Sequence, residues 1–260
     1  MGAPAEPLIR VRDLRAGFDS RIVLDGISFD VARGEVLAIL GATGSGKTTL
    51  LRHMIGLYRP LAGQIWIAGR DIVTAEGEER RRLLRHFGVM YQGGALFGSM
   101  TLLENVRLAL EEFTDLPREA MDLVARVKLR LVNLAGFEDY LPSEISGGMN
   151  KRAAIARAMA LDPEILFLDE PSAGLDPITS AELDQLILEL RRSLGITFVV
   201  VTHELPSIYT IADRVVMLDA RKRGILAEGR AAELRDHATD PRVLAFFRRE
   251  VPGRREEAPA

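Results

Sequence analysis

A short run near the start of the chain has the composition of a phosphate-binding loop. The sequence GATGSGKT at residues 41–48 follows an apolar stretch, Val36–Leu40, and precedes a predicted helix. Its glycines permit a sharp turn that aims backbone N–H groups at phosphate oxygens, and the helix N-terminus adds positive potential. Lys47 can then reach the terminal phosphates of a nucleotide, and the Thr48 hydroxyl can ligate Mg²⁺. The alternative is a glycine-rich turn that holds no ligand.

Two acidic residues follow a second apolar run. Asp169 and Glu170 come directly after Ile165–Leu168, which has the composition of a buried parallel strand. An acid at the end of such a strand supports Mg²⁺ in phosphate-transferring ATPases, and Asp169 fits this role through a water. Glu170 is placed to polarise a water that attacks a γ-phosphate. The alternative is a strand that ends in a solvated Asp-Glu turn.

Three further residues could contact phosphate, metal or water. Ser146 precedes two glycines at the start of a helix predicted for Gly147–Leu161, where it could bind an anion or simply cap the helix. Gln92 follows a strand-like stretch and could ligate Mg²⁺ and orient water, or lie in a surface loop. His203 ends an apolar run and could donate to a phosphate. The remaining histidines, His53, His86 and His237, have no partner motif.

The composition excludes several other kinds of site. The 260 residues carry a net charge of −3, which excludes a protein that binds nucleic acid by bulk charge. With 0 cysteines, disulfides, zinc-thiolate sites, iron–sulfur clusters and cysteine nucleophiles are excluded. Met1–Arg10 has no apolar core of signal-peptide length, and the longest apolar runs are too short to span a bilayer. We expect a soluble, cytoplasmic chain whose membrane role depends on a partner.

The order of elements indicates a layered α/β domain. Strand-like and helix-like patterns alternate, but residues from about 101 to 161 show helical spacing without a strong strand. The spacing also predicts a helix over Lys47–Tyr58 that Pro60 ends. We expect a single domain at 8–235 and a C-terminal tail at 236–260 that is disordered from about residue 250. Apolar residues at 243–247 predict that part of this tail docks on its own subunit or on a second copy.

These motifs, in this order, resemble the nucleotide-binding subunits of ABC transporters over about Leu8 to Leu234. GATGSGKT looks like Walker A, Gln92 like the Q-loop, SGGM like the signature, ILFLDE like Walker B, SAGLD like the D-loop and His203 like the H-loop. The resemblance implies a P-loop NTPase (RecA-like) core of α/β class. It further implies an N-terminal antiparallel β subdomain and an all-helical insertion that carries the ABC signature.

The resemblance also assigns roles to individual residues. It implies ATP and Mg²⁺ as ligands, with Phe18 stacked on adenine unless Phe18 lies in a strand core. The nucleotide-binding set is Phe18, Gly41, Ala42, Thr43, Gly44, Ser45, Gly46, Lys47, Thr48, Thr49, Ser146, Gly147 and Gly148. The catalytic set is Glu170, His203, Lys47 and Gln92, and the Mg²⁺ ligands are Thr48, Gln92 and Asp169.

A head-to-tail homodimer follows from the same family. Each ATP lies between the Walker A motif of one subunit and the signature of the other, so Ser146 would bind the γ-phosphate on the partner's ATP. Hydrolysis to ADP and phosphate then releases the dimer. The loop at 93–101 is expected to contact a membrane permease through Leu96 and Phe97, unless both pack inside the insertion.

A narrower resemblance is to the ATPases of the Mla/Mce lipid-transport class. This resemblance rests on SGGM in place of SGGQ, the Q-loop YQGGALFGSMT, the D-loop AGLDPITS and DPRV in the tail. That class moves phospholipids or other hydrophobic molecules across the cell envelope, at the cytoplasmic face of the inner (plasma) membrane. Its partners are an MlaE-like permease, an MCE-domain lipid-binding protein and in some systems a STAS-domain subunit.

Other functions stay open at this stage. An ABC transporter ATPase for another substrate, such as amino acids or metals, would have nearly the same motifs. Soluble ABC proteins that act on ribosomes or DNA usually have two cassettes or a coiled-coil insertion, and a P-loop kinase would not explain Ser146 or Glu170. Nothing in composition or spacing indicates a lipid.

Overall fold

The computed structural model describes residues 6–18 and 21–250, and within these ranges the chain forms two sheets with helices around them. The strands are β1 (Ile9–Phe18), β2 (Arg21–Val31), β3 (Val36–Gly41), β4 (Ala62–Ile67), β5 (Arg70–Asp71), β6 (Phe87–Met90), β7 (Ile165–Asp169), β8 (Thr197–Val201), β9 (Arg214–Asp219) and β10 (Gly224–Gly229). The helices are α1 (Lys47–Met54), α2 (Gly77–Leu84), α3 (Leu102–Phe113), α4 (Arg118–Leu131), α5 (Gly147–Ala158), α6 (Pro177–Leu194), α7 (Leu205–Ile211), α8 (Ala231–His237) and α9 (Pro241–Arg248).

The larger sheet is almost entirely parallel. Its strand order is β10-β9-β3-β8-β7-β6, and only the edge strand β10 runs antiparallel to its neighbour. Every residue of β3, β7 and β8 is buried, because helices or the smaller sheet cover both faces. This explains why these strands have continuous apolar sequences rather than alternating ones. The parallel arrangement places the carboxyl ends of five strands at one edge.

The smaller sheet, β2-β1-β4-β5, is antiparallel and confirms the predicted N-terminal β subdomain. β1 alternates between buried and accessible residues along its first half, as expected for a sheet with one covered face. Its apolar residues Ile9 and Val11 belong to one core with Leu50 of α1 and Phe167 of β7. The subdomain is therefore packed onto the larger sheet through α1.

The insertion is all-helical, as the sequence predicts. The described residues between 101 and 161 contain α3, α4 and α5 with a short 3₁₀ turn at Pro142–Glu144. Thr101 starts α3 with a capping box: its hydroxyl accepts from the Glu104 N–H at 3.2 Å, and its own N–H donates to Glu104 Oε2 at 2.9 Å. Apolar faces of the three helices form a second core that continues onto Phe198 of β8.

The C-terminal segment packs on the same chain up to residue 248. Val243 and Phe247 of α9 are buried in a third core with Ile208 of α7 and Val215 of β9. The predicted disorder lies in residues 251–260, outside the described residues. No helix within the described part of the chain has the length and apolarity that a membrane crossing requires.

Two predicted helix ends were wrong. α1 ends at Met54 rather than Tyr58, because Gly56 adopts a left-handed conformation (φ 69°) and donates its N–H to the His53 carbonyl at 3.0 Å. Such a glycine ends a helix without needing the following proline. α5 ends at Ala158, three residues before the predicted Leu161. β1 and β10 had not been recognised as strands.

One buried acid lies where α6 contacts α7. Asp184 is 5% exposed, and burial raises its pKa to about 6 from 3.8. Ser207, also buried, lowers this pKa in part, although within the described residues its hydroxyl makes no hydrogen bond of good geometry. The folded chain therefore favours the protonated carboxyl, and ionisation costs folding free energy as the pH rises from 3.8 through 6.

We expect Asp184→Asn to become more stabilising, relative to the parent, as the pH rises. From the two pKa values, the gain in unfolding free energy between about pH 4.5 and about pH 7.5 is about 2 kcal/mol. Urea denaturation of both proteins at the two pH values measures it. A difference in stability that does not change with pH would show that Asp184 has the same pKa folded and unfolded.

Candidate functional site

The predicted phosphate-binding and catalytic residues meet at one edge of the larger sheet. β3, β8, β7 and β6 are consecutive neighbours, and each is followed at its carboxyl end by a predicted site residue. The glycine-rich loop follows β3, His203 follows β8, Asp169 ends β7 with Glu170 directly after it, and Gln92 follows β6. Ligands of open α/β sheets commonly bind beyond the carboxyl ends of the strands. This edge is therefore our candidate nucleotide site.

The loop of residues 41–46 turns directly into α1 without a capping side chain. Gly46 is the N-cap with φ 98°, so the first N–H groups of α1 have no side-chain acceptor. A Cβ on Gly46 would lie 2.6 Å from Leu24 Cδ2, so the β subdomain packs against the loop at this residue. Free N–H groups at a helix start are suited to bind phosphate oxygens.

Lys47 extends over this loop. Its Nζ donates to the carbonyls of Gly41 at 2.8 Å and Ala42 at 3.3 Å. Burial lowers the pKa of Lys47, while the nearby carboxylates of Glu170 and Asp169 act in the opposite direction. An ammonium has three N–H groups, so this arrangement leaves one available to a phosphate.

The acidic pair at the end of β7 is buried, with oxygens that lack partners. Asp169 is 6% and Glu170 8% exposed, and within the described residues Asp169 Oδ1 and Glu170 Oε2 have no hydrogen-bond partner. Burial raises the pKa of Asp169, and Glu170 raises it further, whereas the cations Arg52, Lys47 and Lys151 lower it. Glu170 also has a left-handed backbone (φ 48°), a strained conformation for a residue with a side chain.

His203 is held against Glu170. Its Nδ1 lies 2.9 Å from Glu170 Oε1, and its Nε2 lies 3.7 Å from Glu204 Oε1. The imidazole is more than half exposed, so it faces the open side of the site. One oxygen of Glu170 thus orients the histidine, and the other is free to accept a hydrogen bond from a water.

The residues at this edge fit Mg²⁺ bound together with a nucleotide. Within residues 6–18 and 21–250 no group of three or more His, Cys, Asp and Glu side chains could hold a metal alone. Thr48, Gln92 and Asp169 offer a hydroxyl, an amide oxygen and a carboxylate, and Asp169 Oδ1 has no protein partner. Mg²⁺ is commonly bound by one or two carboxylates plus substrate phosphates, which matches this donor set.

Phe18 lies at the end of β1, on the side of the loop where β2 packs. It is 45% exposed, so it is not a strand-core phenylalanine. The edge of the Tyr58 ring meets Phe18 at a centroid distance of 5.7 Å, and Arg52 lies over the Tyr58 ring at 5.9 Å. The sequence analysis did not identify Tyr58 because it assigned this residue to the end of α1.

Ser146, Gly147 and Gly148 are not brought to this edge. They start α5 of the insertion, where the Ser146 hydroxyl accepts from the Met149 N–H at 3.2 Å, as the capping prediction required. A Cβ on Gly148 would lie 2.4 Å from Thr179 Cγ2, so this turn abuts α6. Ser146 and Gly147 are exposed, and an anion bound here could belong to a second molecule.

Comparisons with known proteins agree with this geometry. The ABC transporter family model matches residues 24–173. The Escherichia coli intermembrane phospholipid transport system ATP-binding protein MlaF is 41% identical over 92% of this chain and 88% of its own length. A probable ribonucleotide transport ATP-binding protein, mkl of Mycobacterium leprae, is 41% identical over 83% of this chain and 62% of its own length.

A solved structure extends the comparison to the fold. A dimeric ATP-binding cassette in a post-hydrolysis state, bound to ADP and Pi, superposes with a TM-score of 0.76 at 28% identity. The match covers 85% of this chain and 98% of that cassette. The P-loop NTPase architecture predicted from the motifs is thereby confirmed.

The Lys47 geometry leads to a test of the loop. Lys47→Ala removes a charge-assisted hydrogen bond to phosphate, and we expect ATP affinity to fall about 10- to 100-fold. Titration with a fluorescent ATP analogue measures this loss. Lys222→Ala is the matched control, because the Lys222 side chain is exposed and, among the described residues, its ammonium donates only to the Ile225 carbonyl at 2.6 Å. Unchanged affinity in Lys47→Ala would remove the phosphate-binding assignment.

Proposed function

The chain belongs to the ABC transporter family, and from this membership together with its similarity to MlaF we propose that it powers the movement of phospholipids between membranes. It is an ATP-binding subunit that hydrolyses ATP. The observation that supports catalysis most directly is the convergence of Lys47, Asp169, Glu170 and His203 at one sheet edge. The lipid substrate rests on the similarity to MlaF, which extends over nearly the whole of both chains.

In the proposed working state, two copies associate head to tail with ATP between them. The loop of residues 41–49 holds the phosphates from one side, and Phe18 stacks on the adenine. Ser146–Gly148 of the second copy contact the γ-phosphate from the other side. The placement of Ser146 supports this arrangement. Ser146 lies in an exposed turn at the start of α5 in the insertion, separate from the glycine-rich loop of the same chain.

Hydrolysis is then an in-line attack of water on the γ-phosphorus. Glu170 Oε2, which has no partner among the described residues, accepts the proton as the water oxygen bonds to phosphorus and the bond to the β-phosphate oxygen breaks. His203, oriented by Glu170 Oε1, and Lys47 stabilise charge on the γ-phosphoryl oxygens. Thr48 and Gln92, with Asp169 through a water, would hold Mg²⁺, which would neutralise phosphate charge.

The permease contact is assigned to the segment of residues 93–101 and the groove beside it. The groove has a volume of about 360 Å³ and a mainly apolar lining that includes Phe87, Phe97, Leu108 and Phe113. Phe97 is 51% exposed, whereas Leu96 packs on the core of the insertion. A cytoplasmic segment of an MlaE-like permease with apolar side chains would cover this surface, which water otherwise contacts.

The remaining parts of the proposal rest on class resemblance alone. They are a position at the cytoplasmic face of the inner membrane, an MCE-domain lipid-binding protein and a STAS-domain subunit as further partners, and a catalytic domain that ends near residue 235. A ribonucleotide is the alternative substrate. The relative named for ribonucleotide transport is 41% identical to this chain, the same identity as that of MlaF. The ATPase mechanism is the same under either substrate.

The substitution Glu170→Gln, made with and without Ser146→Arg, tests two parts of the proposal: that Glu170 is the catalytic base and that ATP holds two copies head to tail. We expect Glu170→Gln to bind ATP, turn over at least about 100-fold more slowly and accumulate as an ATP-bound dimer in size-exclusion chromatography. Adding Ser146→Arg should abolish the trapped dimer but leave ATP binding to the monomer intact, since the arginine obstructs only the partner's phosphate. Normal turnover in Glu170→Gln would place the base elsewhere.

The substrate is tested by recovery of the tagged chain from solubilised native membranes, with mass spectrometry of proteins and lipids. We expect a permease, an MCE-domain protein and bound phospholipid. Phe97→Glu should prevent recovery of the permease, whereas Leu123→Glu, an equally apolar exposed site on α4 outside the groove, should not. A permease recovered with nucleotide or amino acid cargo would contradict the lipid assignment and leave the ATPase assignment in place.

A further inference from the structure

The segment of residues 91–101 has little internal structure to hold it. It connects β6 to α3 without helix or strand, and its backbone makes only two bonds within itself, Gly94 N–H to Tyr91 O at 2.7 Å and Met100 N–H to Phe97 O at 3.1 Å. Ala95 has a left-handed backbone (φ 50°), which an alanine adopts only when its surroundings impose it. The conformation of the segment at 91–101 must therefore be set by side chains from outside it.

Two cationic side chains of α5 supply this restraint at the Gln92 end. Lys151 Nζ donates to the Gln92 carbonyl, and Arg157 donates from Nη1 to Ala95 O at 2.7 Å and from Nη2 to Gly94 O at 2.8 Å. Lys151 and Arg157 thus bond both ends of the run at 92–95.

These contacts join a buried ammonium and a half-buried guanidinium to backbone carbonyls. Lys151 is 8% exposed, Arg157 is half-buried, and within the described residues neither forms an ion pair. Burial lowers the pKa of each side chain, and the carboxylates of Asp169 and Glu170 raise that of Lys151. Among residues 6–18 and 21–250, backbone carbonyls are the only hydrogen-bond acceptors of these two charges, so a shift of the segment would leave the buried Lys151 ammonium poorly solvated.

The other end of the segment is held by α3. Asn105 is completely buried, and its side-chain Oδ1 accepts from Phe97 N–H at 2.7 Å. Its Nδ2 lies within bonding distance of the carbonyls of Phe97, Met100 and Thr101, at 3.1, 3.1 and 3.0 Å. The segment is therefore fixed to the insertion at both ends.

We propose that Lys151 and Arg157 are positioning residues that make α5 and the segment at 92–95 move as one body. This inference rests on the proposed function, in which α5 begins with the turn that meets the partner's ATP. The 12 residues of α5 form a rod about 18 Å long that carries Ser146 at its start and these two cations along its side. Engagement of the partner's nucleotide is thus transmitted to Gln92 of the chain's own site and to Phe97 at the permease groove.

The test compares hydrogen exchange of peptides covering residues 91–101 in the full-length, nucleotide-free chain. Arg157→Lys keeps the charge but not the planar fork that bridges two carbonyls, and Lys151→Met keeps the length but not the donor. We expect exchange in this segment to be about tenfold faster in each variant, with unchanged exchange in the central strands. Lys151→Arg should restore protection. Arg130→Gln, on an exposed face of α4, is the control.

A second measurement uses the Glu170→Gln background with ATP. The Glu170→Gln protein, trapped as a dimer with ATP, should exchange more slowly at 91–101 than its nucleotide-free form. The protein that carries both Glu170→Gln and Arg157→Lys should form the dimer without this slowing of exchange. Exchange at 91–101 equal to the parent in both Lys151→Met and Arg157→Lys would overturn the inference. If the parent forms no trapped dimer, the proposed function fails, and the nucleotide-free comparison still decides whether α5 positions the segment.

Discussion

The rest of the site depends on two adjacent carboxylates buried at the end of β7. Removing Asp169 and Glu170 from water is costly unless other groups compensate for the lost hydration. The chain supplies part of that compensation with Lys47 and Lys151, whose charges act on both carboxylates, and with the His203 contact to Glu170. Among residues 6–18 and 21–250, Asp169 Oδ1 and Glu170 Oε2 have no protein partner, and in the proposed working state Mg²⁺ and a water would complete them.

The larger sheet, the β subdomain and the insertion all contribute residues at the edge of the sheet where these carboxylates lie. β3, β8 and β7 are buried on both faces, so polar side chains can appear only where the strands end. The β subdomain, which carries Phe18 at the end of β1, contacts the loop at Gly46 through Leu24. The insertion approaches from the β6 side and contributes Lys151. Each layer thus supplies one recognition element to a site that none of them could form alone.

The parts of this arrangement that sequence could predict are those encoded by neighbours in the chain. An apolar run followed by Asp169-Glu170, or a glycine run followed by Lys47-Thr48, specifies both the strand and the chemistry at its end. Contacts between distant segments were not predictable in this way. One such contact is that of Tyr58 with Phe18, and another is that of Arg157 with the carbonyls of residues 94 and 95. The sequence next to Tyr58 or Arg157 contains no motif that indicates these contacts. The helix end at Gly56 was missed because Pro60 offered a competing stop signal.

The separation of the two phosphate-binding elements has an energetic consequence for the dimer. Ser146 and its turn are exposed in the single chain, while the oxygens of Asp169 and Glu170 are buried and incomplete. In the proposed working state, Mg²⁺ and the attacking water would complete these carboxylate oxygens, whereas the turn at Ser146 would remain available to the ATP of a second copy and so drive association. Once hydrolysis and phosphate release remove the γ-phosphate, the exposed turn loses its anion and the association loses that contribution. Under the proposed function, the free energy of hydrolysis would thereby change the distance between the two chains, and a permease bound in the adjacent groove would follow that change.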